Sequence, residues 1–141
     1  MSDRGYLRQP SICGDAIVFV SDDDLWRADV AGGVARRLTA GLGEPATPGL
    51  SADGKWIAYV GRDEQHPEVF LMPAEGGPAR RMTWLGPDVM VRGFTPEGDM
   101  LITERPGRLR IVRQGKLLPT PVAGLPDVLF LGNGATAQDG R

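Results

Sequence analysis

Ala35-Arg36-Arg37-Leu38-Thr39 returns 44 residues later as Ala79-Arg80-Arg81-Met82-Thr83, and this repetition decides the fold. Around it, Gly32-Gly33 returns as Gly76-Gly77, and Ser51-Ala52-Asp53-Gly54 returns as Thr95-Pro96-Glu97-Gly98. Self-similarity with a period in the forties marks a repeat architecture. The turn glycines Gly14, Gly54, Gly98 and Gly140 fall 40, 44 and 42 residues apart.

Working outward from the repeat, each unit reads as four short strands. Ala16-Ile17-Val18-Phe19-Val20 and Trp56-Ile57-Ala58-Tyr59-Val60 are unbroken apolar runs. Such runs suit a second strand covered on both faces, because a half-exposed strand alternates in polarity. A first strand precedes each run, at Tyr6 to Ile12 and Glu44 to Leu50. A third follows it, at Leu25 to Val30 and Glu68 to Met72. The double glycine then turns the chain into a polar fourth strand, Ala35 to Thr39 or Ala79 to Thr83, since glycine takes positive φ without steric cost. The second unit carries four extra residues within Arg62 to Pro67, read here as a longer hairpin loop. A more diverged third unit uses Asp88 to Phe94, Met100 to Thr103, Leu109 to Val112 and Leu117 to Val122. Val128-Leu129-Phe130-Leu131 opens a fourth.

Four antiparallel strands repeated radially make a β-propeller blade. The expectation is an all-β, partial β-propeller, with blades at 5–42, 43–86 and 87–124 and the start of a fourth at 125–141. A stacked solenoid is the alternative, disfavoured by hairpin turns and doubly covered second strands. Propellers close with about four to eight blades. The chain is therefore read as a piece of a longer protein, or as one that self-associates to complete a ring.

Composition narrows function by exclusion. With 16 Lys and Arg against 18 Asp and Glu, the net charge of −2 offers no field for nucleic acid. No run reaches the roughly 18 apolar residues of a membrane span, and the single cysteine, Cys13, has no internal partner. No export signal is legible in Met1-Ser2-Asp3-Arg4-Gly5-Tyr6, which gives a cytoplasmic expectation.

No catalytic, metal or cofactor constellation is assigned. His66, the only histidine, lies in Asp63-Glu64-Gln65-His66-Pro67, a hairpin loop, and reads as an exposed loop residue instead of a general base held against a partner. Cys13 has no base to activate it. Asp22-Asp23-Asp24 lacks the alternating spacing of a calcium loop and reads as a solvated turn. Candidate sites come from strand order alone. First strands line the axis of a propeller, so Arg8, Thr47 and Arg92 are the channel-lining candidates. Arg36, Arg37, Arg80 and Arg81 sit on outermost strands, where charge discourages edge pairing and could dock acidic partner surfaces.

The wording of residues 5–85 resembles the amino-terminal six-bladed propeller of the tricorn protease family. Gly14-Asp15-Ala16-Ile17-Val18-Phe19-Val20-Ser21, Asp23-Asp24-Leu25-Trp26 and Ala35 to Gly43 carry the resemblance. His66-Pro67-Glu68-Val69 and Met72-Pro73-Ala74-Glu75-Gly76-Gly77 extend it. Related repeats occur in the propeller of the Tol translocation system. The resemblance implies a non-catalytic module that guides peptides or binds other protein domains, with serine-peptidase chemistry in carboxy-terminal domains elsewhere. Under it, Arg8 and Arg92 would contact peptide carboxylates, since a guanidinium matches that group in a two-point bond. Met100 to Val112 and Pro121-Val122-Ala123-Gly124-Leu125-Pro126 resemble instead the first blade of soluble quinone-dependent aldose sugar dehydrogenases. That likeness implies a second reading, part of such a dehydrogenase. A self-associating or hybrid propeller piece without a native substrate is the third.

Overall fold

A computed structural model describes residues 6–40, 43–63, 66–86, 88–104, 108–113 and 116–119. They form twelve strands and no helix. The first sheet holds β1 (Arg8–Cys13), β2 (Ala16–Ser21), β3 (Asp24–Asp29) and β4 (Arg36–Arg37) in that spatial order. The second holds β5 (Ala46–Leu50), β6 (Trp56–Asp63), β7 (His66–Pro73) and β8 (Arg80–Arg81). The third holds β9 (Met90–Phe94), β10 (Met100–Glu104), β11 (Arg108–Arg113) and β12 (Lys116–Pro119). Every neighbouring pair is antiparallel. First strands of adjacent sheets touch, β1 against β5 and β5 against β9. This is a partial β-propeller. The fourth blade expected at 125–141 lies outside the described residues.

The apolar runs are buried for the expected reason. In β6, Ile57 and Tyr59 join Met72 and Ala74 against Ala16, Val18, Val20 and Leu25 of the first blade. The intervening Ala58 and Val60 join Val69 and Met82 against Val91, Met100, Ile102 and Val112 of the third. Alternate residues of one strand thus serve two cores, so apolar residues are required at consecutive positions.

Three details depart from the sequence reading. The fourth strands β4 and β8 are two residues long, because only Arg36–Arg37 and Arg80–Arg81 pair with the third strands. The described part of the insertion in the second unit is strand, not loop. It extends the β6–β7 ladder by the pairs Arg62↔Pro67 and Asp63↔His66, so His66 is an exposed strand residue. Finally, the third blade is offset by one residue. Ser51 N donates to Trp56 O in the second blade, whereas Thr95 N donates to Asp99 O in the third, across a shorter turn. Met100 therefore pairs with Phe94 as Ile57 pairs with Leu50. A one-residue slip exchanges the faces of a strand. It places Met100 and Ile102, not Leu101, against the second blade.

Candidate functional site on the inner strands

The inner strands share a built-in irregularity. In β1 the register shifts between Arg8 and Ser11, and in β5 between Ala46 and Gly49. Each shift contains a residue in the left-handed region directly before a proline: Gln9 (φ 52°) before Pro10, and Thr47 (φ 46°) before Pro48. Prolines inside a sheet belong at such bulges, since they cannot donate to the ladder. The bulge residues join neighbouring blades. Thr47 N donates to Gln9 Oε1 at 2.8 Å, and Val91 N donates in turn to Thr47 Oγ1 at 3.2 Å. Leu50 N donates to Ser11 Oγ at 3.0 Å. Side chains of one inner strand thereby cap backbone donors of the next. Thr47 is engaged between blades, where its hydroxyl fixes β9 against β5.

The two inner-strand arginines differ. Arg8, nearly half exposed, pairs with Asp23 at 3.1 Å and is neutralised within its own blade. Arg92 has no carboxylate partner among the described residues. Its Nε donates to Thr103 Oγ1 at 3.1 Å and its Nη2 to Met90 Sδ at 3.5 Å, both uncharged acceptors. Thr103 is buried, so one end of the guanidinium is anchored, while among the described residues its charge meets no counter-ion. Arg92 itself is half-buried.

The outer arginines are placed by acids of the protein itself. Arg36 reaches Glu75 of the second blade at 3.2 Å, and Arg27 reaches the same carboxylate at 2.7 Å, so Glu75 clamps two blades. Arg37 pairs with the buried Asp24. Arg81 lies 3.2 Å from the buried Glu68 and stacks 5.4 Å from the exposed Trp84 ring. Arg80 is exposed and forms no ion pair among the described residues.

Asp24 is a correction to the reading of Asp22-Asp23-Asp24 as a solvated turn. It is 2% exposed and accepts from Thr39 Oγ1 at 2.7 Å, while the threonine oxygen accepts from Leu25 N at 2.9 Å. The second blade repeats the arrangement 44 residues on. Thr83 Oγ1 donates to Glu68 at 2.5 Å and accepts from Val69 N at 2.9 Å. Glu68 also accepts from Leu85 N at 3.0 Å and Gly86 N at 2.7 Å. Burial alone would push the Glu68 carboxyl up. The bonds from Thr83, Leu85 and Gly86 and the charge of Arg81 outweigh it and hold the group below the ordinary glutamate value. The signal was available in the sequence as an acid followed 15 residues later by threonine, written twice.

Cys13 is half-buried, its thiol 3.4 Å from the Ala52 carbonyl. Among the described residues, no group of His, Cys, Asp or Glu could hold a metal ion. No helix there is long and apolar enough to cross a membrane.

With this geometry in place, comparison with known proteins assigns the family. The model of the tricorn protease N-terminal β-propeller domain matches residues 4–139. The chain belongs to the tricorn N-terminal propeller family. The match runs through residues 100–126, the stretch whose wording resembles the sugar dehydrogenases. Tricorn protease homolog 1 of Streptomyces coelicolor is 36% identical over 126 residues, covering 86% of this chain and 12% of that protein. The crystal structure of the tricorn protease superposes with a TM-score of 0.72 at 26% identity, over 82% of this chain and 13% of that one. TolB from Acinetobacter baumannii superposes with a TM-score of 0.76 at 21% identity, over 99% of this chain and 37% of that one, and shares the fold. Putative tricorn protease homolog 2 of Streptomyces coelicolor is 45% identical over 98 residues, covering 68% of this chain, and the chain spans 8% of its length and 12% of that of homolog 1.

Proposed function

We propose that this tricorn-family propeller segment is a non-catalytic module that holds and guides peptides for a serine peptidase whose chemistry lies elsewhere in the full-length protein, in the cytoplasm. Arg92 is the residue that contacts peptide carboxylates. The observation that carries the reading is its charge. Arg92 sits half-buried on an inner strand, oriented by Thr103 and Met90, and no described carboxylate neutralises it. Arg8 is the weaker candidate because Asp23 already occupies it. Thr47 supports the wall instead of reading the ligand.

Binding of short fluorescent peptides, with free or amidated carboxy-termini, tests this. A charge-assisted bond is worth roughly 1.5–3 kcal/mol. Arg92→Gln should therefore weaken binding of the free-carboxylate peptide about tenfold or more. It should leave the amidated peptide nearly unchanged, and Arg8→Gln should have a smaller effect. Equal affinities of Arg92→Gln and wild type for both peptides would overturn the assignment.

A further inference from the structure

We propose that Met90 is a methionine oxidation site through which hydroperoxides disable Arg92. The observation is a pairing of exposure and position. Met72, Met82 and Met100 are 1%, 8% and 3% exposed, whereas Met90 is 44% exposed and stands on the inner strand β9. Its sulfur is also the acceptor for Arg92 Nη2 at 3.5 Å. Met90 and Thr103 face each other across β9 and β10, so the two acceptors of Arg92 flank the guanidinium from neighbouring strands.

A thioether is a weak acceptor and holds a guanidinium loosely. In the reaction, the Met90 sulfur gives an electron pair to a peroxide oxygen. The O–O bond breaks, the S–O bond forms, and the departing oxygen takes a proton and leaves as water or an alcohol. Sulfur is oxidised by two electrons and the peroxide is reduced by two. The product carries a strongly polar oxygen beside Arg92, and a methionine sulfoxide reductase can return it to the thioether. Hydrogen bonds from an ionised donor to such an oxygen are much stronger than those to sulfur. The sulfoxide therefore occupies the Nη2 edge of Arg92. The consequence for peptide binding rests on the reading of Arg92 above, whereas the modification and the capture of Arg92 do not.

The test uses the native chain, dilute hydrogen peroxide and no peptide ligand. Peptide mass mapping should show Met90 oxidised at least about tenfold faster than Met72, Met82 or Met100, whose sulfurs react only when the fold opens locally. Phenylglyoxal labelling of Arg92 should then slow severalfold and recover after treatment with the reductase. Met90→Leu should leave Arg92 labelling indifferent to peroxide. Equal oxidation rates of the four methionines, or an Arg92 labelling rate unchanged by oxidation at Met90, would overturn the proposal. Neither result depends on whether Arg92 binds peptides.

Discussion

Glu68 shows how much a single buried carboxylate organises. Its two oxygens accept from a hydroxyl, two backbone amides and a guanidinium, and these belong to three successive parts of the chain: β8, the segment after it, and the linker to the third blade. Removing the charge leaves the partly buried amide donors at Leu85 and Gly86 facing a poorer acceptor. Glu68→Gln should destabilise the protein by roughly 2–3 kcal/mol, read as a lower urea midpoint with an unchanged slope. The pH dependence follows from the depressed carboxyl. Because the folded-state value lies below the unfolded one, the contribution is fully present above the ordinary glutamate range. It is lost as pH falls through the folded-state value. Unfolding midpoints of wild type should therefore drop on acidification below about pH 4, and those of Glu68→Gln should drop less. A parallel acid dependence in the two proteins would show that Glu68 is not the group responsible. Arg81, offered by strand order as a docking residue, is drawn into the same cluster, and its outer face is stacked on Trp84.

The β6–β7 hairpin illustrates what an element adds beyond its residues. Its extra length stands on a backbone contact: Arg62 N donates to Gly43 O at 2.8 Å, and a Cβ at residue 43 would lie 2.5 Å from Arg62 O. With φ at +115°, Gly43 meets both a conformational and a steric requirement. Gly43→Ala should cost roughly 2–3 kcal/mol and selectively raise amide exchange in residues 61–63. Unchanged protection there would mean that the hairpin does not need this anchor. Sequence patterning carried the elements well, because Trp56 to Val60 and Ala16 to Val20 are apolar at every position, as a strand with two covered faces requires. It failed where pattern and pairing part company. The glycine spacing of 44 residues between Gly54 and Gly98 conceals a shorter turn after Thr95, so the register of β10 is visible only in the pairing of Met100 with Phe94. Of the candidate site, the place of Arg92 on a first strand was legible. Its decisive property, the neutrality of both partners of Arg92, arises from a bulge at Arg92-Gly93 and a cross-strand threonine that no local pattern announces.

At the scale of the molecule, blades stack in one direction. The first two inner strands supply acceptors to the blade that follows: Gln9 and Ser11 to β5, then Thr47 to β9. The apolar faces obey the same polarity. Ile12 pairs with Ile17 as Leu50 pairs with Ile57, and Val30 N bonds Asp15 O as Ala74 N bonds Lys55 O. Yet Ile12 and Val30 are 64% and 56% exposed, while Leu50 and Ala74, turned toward the first blade, are 8% and 0% exposed. The outward face of the first blade thus carries apolar residues at positions that elsewhere meet another sheet. Water contact over such a patch favours association. The isolated chain should therefore sediment as a concentration-dependent mixture heavier than a monomer. The double substitution Ile12→Glu and Val30→Glu should shift it to monomer with its unfolding midpoint nearly unchanged, because neither side chain belongs to a core. Ile57→Glu is the contrasting control: it places a charge between two packed blades and should unfold the protein. Association that persists in the double variant would locate the contact on some other surface.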